Sequence, residues 1–166
     1  RHLTFHRQKV IVVAGSLGKT TTTRAIWAVL EGRIPDSLHL EENSFIRVAW
    51  SVVRQLWSRQ RAIQEVGIGA PLQMGQYTRA LRHNLVVMTA VASDHLRKFR
   101  DQDHLWNEKS HMVASIPETG VAVVNADDPE VQRMIPLIRA RIVTFGFDPD
   151  SDVAVRIQQM SATGSE

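Results

Sequence analysis

Gly15-Ser16-Leu17-Gly18-Lys19-Thr20-Thr21 follows the apolar run Val10-Ile-Val-Val13 and leads into residues with helical spacing (Ala25, Ile26, Ala28, Val29, Leu30). A glycine-bracketed loop between a buried strand and a helix turns backbone N–H groups and the helix N-terminus toward one point. That geometry suits a polyphosphate. Lys19 adds a point charge for the terminal phosphates, and the Thr20 hydroxyl offers a ligand for Mg²⁺. The spacing departs from G-x-x-x-x-G-K-[ST], because Val13 stands where the first glycine belongs, and a shorter G-x-x-G-K-T form remains. An ordinary strand–turn–helix could use the same glycines for tightness alone. With these flanks, the stretch reads as a nucleotide site.

Four further positions carry chemical groups, three of them at or near the ends of apolar strands. Glu65 closes Ala62 to Val66 ahead of Gly67-Ile68-Gly69-Ala70-Pro71; its oxygens suit a hard cation facing the phosphates, or form a solvated strand-end charge. His95, in Ser93-Asp94-His95, follows the strand Leu85 to Ala90 and could ligate a metal or cap the next segment. The other histidines, His2, His6, His39, His83, His104 and His111, lack such placement and read as surface or structural. Lys109 falls mid-stripe on a helix from about Asp103 to Ser115, with Leu105, Trp106, Met112 and Val113 one turn to either side. A lysine there can snorkel to water, pair with phosphate, or lose its charge on burial and react as a neutral amine. Asn125 ends the strand Val121 to Asn125 and could meet a purine edge, while Asp127 or Asp128 with Pro129 supplies an N-cap for the next helix.

The elements that position these residues alternate. Strands over Val10 to Ala14, Ala62 to Val66, Leu85 to Ala90, Val121 to Asn125 and Arg141 to Phe145 are separated by helical patterns. Those patterns run to about Glu31, across Phe45 to Arg59, and over Leu72 to Arg82, Asp103 to Ser115 and Asp128 to Ile138, with an edge strand at Val153 to Ile157. Such alternation predicts an α/β fold, a mostly parallel sheet flanked by helices, with ligands beyond the carboxyl ends of its strands. The 166 residues fit one domain with a full core, and the 43% apolar and 22% charged fractions are those of a globular protein. A net charge of +3 without a compact basic run points away from nucleic acid. The absence of cysteine excludes disulfides, thiolate zinc sites and thiol catalysis. No apolar run approaches the roughly 18 residues of a membrane span, no signal peptide is visible, and the expected setting is the cytoplasm. An opening at Arg1, close before a core strand, reads as a piece of a larger protein.

Taken in order, Gly15-Ser-Leu-Gly-Lys-Thr-Thr-Thr22, Glu65-Val-Gly67, Asp94-His95-Leu96, Lys109 and Val124-Asn-Ala-Asp-Asp-Pro129 resemble the central domain of the Mur ligases. These are ATP-dependent amide ligases of peptidoglycan synthesis, related to folylpolyglutamate, cyanophycin and poly-γ-glutamate synthetases. The resemblance runs from about Lys9 to Ile157, and Glu65-Val-Gly67, Thr144-Phe-Gly146 and Asp152-Val153 look most like the ligase that adds D-alanyl-D-alanine. It implies a P-loop-type domain in which Gly15, Ser16, Gly18, Lys19, Thr20 and Thr21 hold the ATP phosphates. Thr20 and Glu65 would hold one Mg²⁺, and His95 would help hold a second. Lys109 would be carbamylated by CO₂ into a metal-binding anion, and Asn125 would contact adenine.

Lys19, Glu65, His95 and Lys109 are then the residues expected to carry catalysis. The family loop usually has Asn where Leu17 stands, and Ile34 to Phe45 matches nothing in it cleanly. The family's N-terminal sugar-nucleotide domain and C-terminal amine-binding domain have no counterpart in residues 1–166. The carboxylate and amine substrates are therefore expected to bind mainly to those domains. Two other classes compete with ligation: a nucleotide-binding module that performs none, and a P-loop kinase or motor ATPase, which would end a strand in a metal-binding Asp.

Overall fold

The computed structural model describes residues 10–32, 48, 50, 62–68, 70–92, 99–157, 160–161 and 164–165. Six strands form one sheet in the order β2-β1-β3-β4-β5-β6, every neighbouring pair parallel. They are β1 (Val10–Ala14), β2 (Ala62–Val66), β3 (Leu85–Met88), β4 (Val121–Asn125), β5 (Arg141–Gly146) and β6 (Val153–Ala154). The helices are α1 (Lys19–Glu31), α2 (Gln73–Leu81), α3 (Gln102–Ala114) and the short α4 (Pro129–Gln132). A two-stranded antiparallel ladder, Met160–Ser161 with Gly164–Ser165, stands apart from the main sheet.

The central strands are apolar on both faces because both faces are covered, as parallel sheets require. Alternate residues Val10, Val12 and Ala14 of β1, with Val86 and Met88 of β3 and Ala122 and Val124 of β4, pack into the larger core. Met74, Tyr77 and Leu81 of α2 and Leu105, Met112 and Val113 of α3 complete that core. Ile11 of β1 instead joins Trp27 of α1 and Ile63 of β2 in a second, smaller cluster. The period-2 alternation of β1 thus assigns α1 to one face, and α2 with α3 to the other.

Several boundaries differ from the sequence expectation, each for a local reason. The helix expected over Asp128 to Ile138 stops at Gln132 and resumes as a 3₁₀ turn, Ile135–Leu137. Pro136 has no N–H to continue the α-helix, and its ring would clash with a carbonyl one turn back. β3 ends at Met88 rather than Ala90: Thr89 N still donates to Ala14 O at the end of β1, but Ala90 O accepts from Ser16 N in the loop that follows. The edge strand pairs only over Val153 and Ala154. Of the helix expected across Phe45 to Arg59, only Val48 and Trp50 are described, and both are helical. The lead-in Arg1 to Gln8, the stretch Asp36 to Asn43 and Ser93-Asp94-His95 lie outside the described residues.

α2 is bounded by two non-glycine residues in the left-handed region, Leu72 (φ 67°) and Arg82 (φ 40°). Leu72 is held there by Glu108 of α3, whose Oε1 accepts from Leu72 N at 2.9 Å. Just after α2, the imidazole of His83 is buried, with Nε2 on Met112 O at 2.9 Å and Nδ1 without a partner among the described residues. Burial pulls its pKa below the ordinary histidine value, and the Met112 carbonyl only partly offsets this.

Two measurements test these positions. Leu72 is 74% exposed, so Leu72→Gly loses little burial and relieves the left-handed strain. It should stabilise the fold by about 0.5–1 kcal/mol after glycine's extra chain entropy; a lower thermal midpoint than wild type would contradict this. For His83, the neutral form is the one the fold prefers. The stability it contributes is complete above the unfolded pKa of about 6.5 and is lost as pH falls through the folded one. The unfolding free energy of wild type minus that of His83→Gln, from urea titrations, should therefore shrink between pH 8 and pH 5.

Candidate nucleotide site

The parallel registers align the strand ends. Val13 stands opposite Glu65, Ala14 opposite Val66 and Met88, and Met88 opposite Val124. Gly15, Gly67, Thr89 and Asn125, one residue further along each strand, consequently lie side by side on the carboxyl rim. The chain leaves β1 for β2 on one flank and returns to β3 on the other. The Gly15 loop thus emerges where strand order reverses, the place at which open α/β sheets bind ligands.

This loop presses on the end of β3. Gly15 has φ +141°, and a Cβ on it would lie 2.2 Å from Thr89 Oγ1 and 2.8 Å from Ala90 O. The Thr89 hydroxyl donates to Leu17 O at 2.6 Å and its backbone N–H to Ala14 O at 2.9 Å, bracing both ends of the turn. Gly18, at φ +77°, begins α1 without a side-chain cap, and the first turn contains no acidic residue. The first N–H groups of α1 and the positive end of its dipole suit an anion.

Around the loop, Thr20 Oγ1 donates to Glu65 Oε2 at 2.9 Å, and Glu65 is buried. Lys19 Nζ donates to Ser16 O at 2.8 Å. Lys109, 4% exposed, crosses from α3 and donates from Nζ to Ser16 Oγ. Snorkelling to water, one of its three sequence readings, is thereby ruled out. Thr21 is exposed on the first turn of α1. The Thr20–Glu65 pair is an all-oxygen donor set, and among the described residues no group of three or more His, Asp or Glu forms a protein cage. Few protein oxygens completed by phosphates and water is the mode in which Mg²⁺ is bound, so the residues fit that ion.

Asn125 spans the rim on the other side. Its Nδ2 donates to Thr89 O at 2.8 Å and its Oδ1 accepts from Asp127 N at 2.9 Å, so that among the described residues one N–H and one lone pair of the amide remain. Asp128 caps α4, with Oδ1 accepting from Glu130 N and Val131 N, and Oδ2 takes Val91 N at 2.9 Å. Asp127 accepts from Phe147 N and Asp148 N. The structure therefore brings together Gly15, Ser16, Gly18, Lys19, Thr20, Glu65, Lys109 and Asn125. His95 lies outside the described residues. Sequence reasoning missed Thr89 and the second role of Asp128, since a threonine after an apolar strand and an N-capping aspartate carry no further signal.

A glycine loop at the reversal of a parallel sheet, opening an uncapped helix beside a lysine and a carboxylate, defines a P-loop-type nucleotide-binding domain. The model of the Mur ligase middle domain matches residues 13–166, and the chain belongs to that family. UDP-N-acetylmuramate–L-alanine ligase of Gluconacetobacter diazotrophicus is 34% identical over 144 residues, 86% of this chain and 28% of that protein. Among solved structures, the UDP-N-acetylmuramoylalanyl-D-glutamyl-2,6-diaminopimelate–D-alanyl-D-alanyl ligase of Acinetobacter baumannii superposes with a TM-score of 0.73 at 22% identity, over 97% of this chain and 38% of its own. The MurF ligase of Thermotoga maritima in complex with ADP gives a TM-score of 0.64 at 19% identity, over 85% and 33%. The chain thus spans about 28% of the length of that curated relative.

Gly15→Ala puts a methyl group into the Thr89 hydroxyl at a backbone angle that L-residues avoid. It should cost about 2–3 kcal/mol of stability, read from chemical denaturation, whereas Gly18→Ala carries the positive-φ strain alone, with nothing among the described residues within 4 Å of its Cβ. Equal losses in the two variants would show that the close approach to Thr89 is unimportant.

Proposed function

We propose that this chain is the ATP-binding central domain of an ADP-forming amide ligase of peptidoglycan precursor synthesis, acting in the cytoplasm. The observation that carries this reading is the convergence of buried Lys109 and Lys19 on Ser16, beside the Thr20–Glu65 pair. A triphosphate laid along the loop would meet the N–H groups of Gly18 to Thr20 and draw the Lys19 ammonium off the Ser16 carbonyl. The likeness to an ADP-bound ligase agrees with a nucleotide there.

Thr20 and Glu65 would hold one Mg²⁺, and His95 with a carbamylated Lys109 a second. Bound magnesium supplies charge neutralisation and alignment of the γ-phosphate. The protein's own part is positioning and electrostatic stabilisation. Lys19 and the loop amides receive the charge that builds on the phosphates. A substrate carboxylate oxygen attacks the γ-phosphorus and ADP leaves; an amine then attacks the acyl carbon, phosphate leaves, the nitrogen gives up one proton to solvent, and an amide remains. Asn125 would turn its remaining N–H and lone pair to the adenine edge. The carboxylate and amine substrates would be held by the flanking domains of a longer ligase, so the 166 residues alone should bind Mg²⁺-nucleotide weakly and form no amide.

Two measurements test this. By calorimetry, Mg²⁺ should strengthen ADP binding to the chain, and Glu65→Gln should weaken Mg²⁺-ADP binding about tenfold, some 1.4 kcal/mol; Mg²⁺-independent binding would remove Glu65 from the cation site. In a polypeptide that joins these residues to both flanking domains, ADP release should require a carboxylate and an amine together. There Lys109→Ala should abolish ligation, with no rescue by excess bicarbonate. Full activity of that variant would take Lys109 out of the mechanism, and nucleotide binding without an amide product would make the chain a module that performs no ligation.

A further inference from the structure

Ser16 makes more hydrogen bonds than a phosphate-loop residue needs in order to hold phosphate. Its N–H donates to Ala90 O and its carbonyl accepts from Lys19 Nζ. Its hydroxyl lies 3.0 Å from Ala92 O, 2.9 Å from Ala92 N, and in contact with Lys109 Nζ. A hydroxyl has one proton and two lone pairs. The proton is committed to the Ala92 carbonyl, which can only accept. One lone pair is committed to the Ala92 N–H, which can only donate. The position left for Lys109 is a single lone pair, so the lysine nitrogen must be the donor, and Ser16 can take one N–H from it.

We propose that Ser16 is the positioning residue of Lys109, and that its one free lone pair orients the lysine nitrogen for addition to CO₂. The inference rests on the carbamylation of Lys109 proposed above. In that step the lone pair of the neutral amine attacks the carbon of CO₂ and a C–N bond forms. One C=O π pair moves onto oxygen, and one N–H proton is released to solvent. The product, an N-alkyl carbamate, keeps a single N–H. That count matches what Ser16 can accept, so the contact made by the amine survives in the carbamate, with the new carboxylate directed away from the hydroxyl. Because Lys109 is 4% exposed, its orientation is set by protein groups rather than by bulk water. Ser16 also joins Lys109 to the loop that would hold the phosphates, since Lys19 rests on the carbonyl of the same residue.

The test is ¹³C NMR of the 166-residue chain in ¹³C-bicarbonate, with Lys109→Ala as the assignment control and thermal unfolding as the check on folding. Wild type should show a carbamate resonance that Lys109→Ala lacks. Ser16→Thr, which keeps one proton and two lone pairs, should retain it. Ser16→Ala should weaken it at least fivefold. Ser16→Cys, nearly isosteric but with a sulfur that accepts poorly, should weaken it similarly and reports on the contact if the alanine variant does not fold. Wild-type intensity in Ser16→Ala or Ser16→Cys would overturn the role of Ser16 and leave carbamylation standing. A wild-type spectrum identical to that of Lys109→Ala would overturn carbamylation and this inference with it.

Discussion

The site depends on one approach of backbone to side chain, Gly15 against the end of β3. With a hypothetical Cβ only 2.2 Å from the Thr89 hydroxyl, the loop can lie this close only because residue 15 has no side chain. That proximity lets Thr89 bond Leu17 O and Ala14 O, and brings Ser16 within reach of Ala90 and Ala92. The turn is thus held by groups that belong to another strand. Its shape is set before any ligand arrives, which is what an electrostatic site requires.

Charge is arranged around that turn with a definite sign. An uncapped helix N-terminus and Lys19 are positive, and the first turn of α1 has no acid to offset them. The carboxylate bonded to this helix start comes from β2, where Glu65 accepts from the Thr20 hydroxyl. The surplus is local, since the net charge of the whole chain is only +3.

α3 connects this site to the core. Its N-terminus is capped by Asp101, whose Oδ1 accepts from His104 N at 2.7 Å. Glu108 and Lys109 are consecutive and so point roughly 100° apart around the helix axis, yet both are buried. Glu108 holds the backbone of Leu72 at the start of α2, and Lys109 holds Ser16 in the loop. One turn of α3 therefore fixes a neighbouring helix and the phosphate loop together. On the outer side, Trp106 Nε1 donates to Glu130 O at 2.8 Å and the Arg133 guanidinium lies 4.8 Å from the indole centroid, seating α4.

The alternation of strands and helices, the loop with its Lys-Thr start, and the burial of Lys109 were legible in the chain because each depends on local period or spacing. A glycine-bracketed turn after an apolar run, and a lysine one helical turn from Leu105 and Val113, signal themselves within a dozen residues. The break at Pro136 was also written locally, since a proline has no N–H to continue a helix. Only the tertiary structure decided which distant groups meet. The partnership of Ser16 with Lys109 spans 93 residues and that of Thr20 with Glu65 spans 45. No sequence period encodes such a pairing. It arises from strand order and register, which place the ends of β1, β2, β3 and β4 on one rim and lay α3 across them.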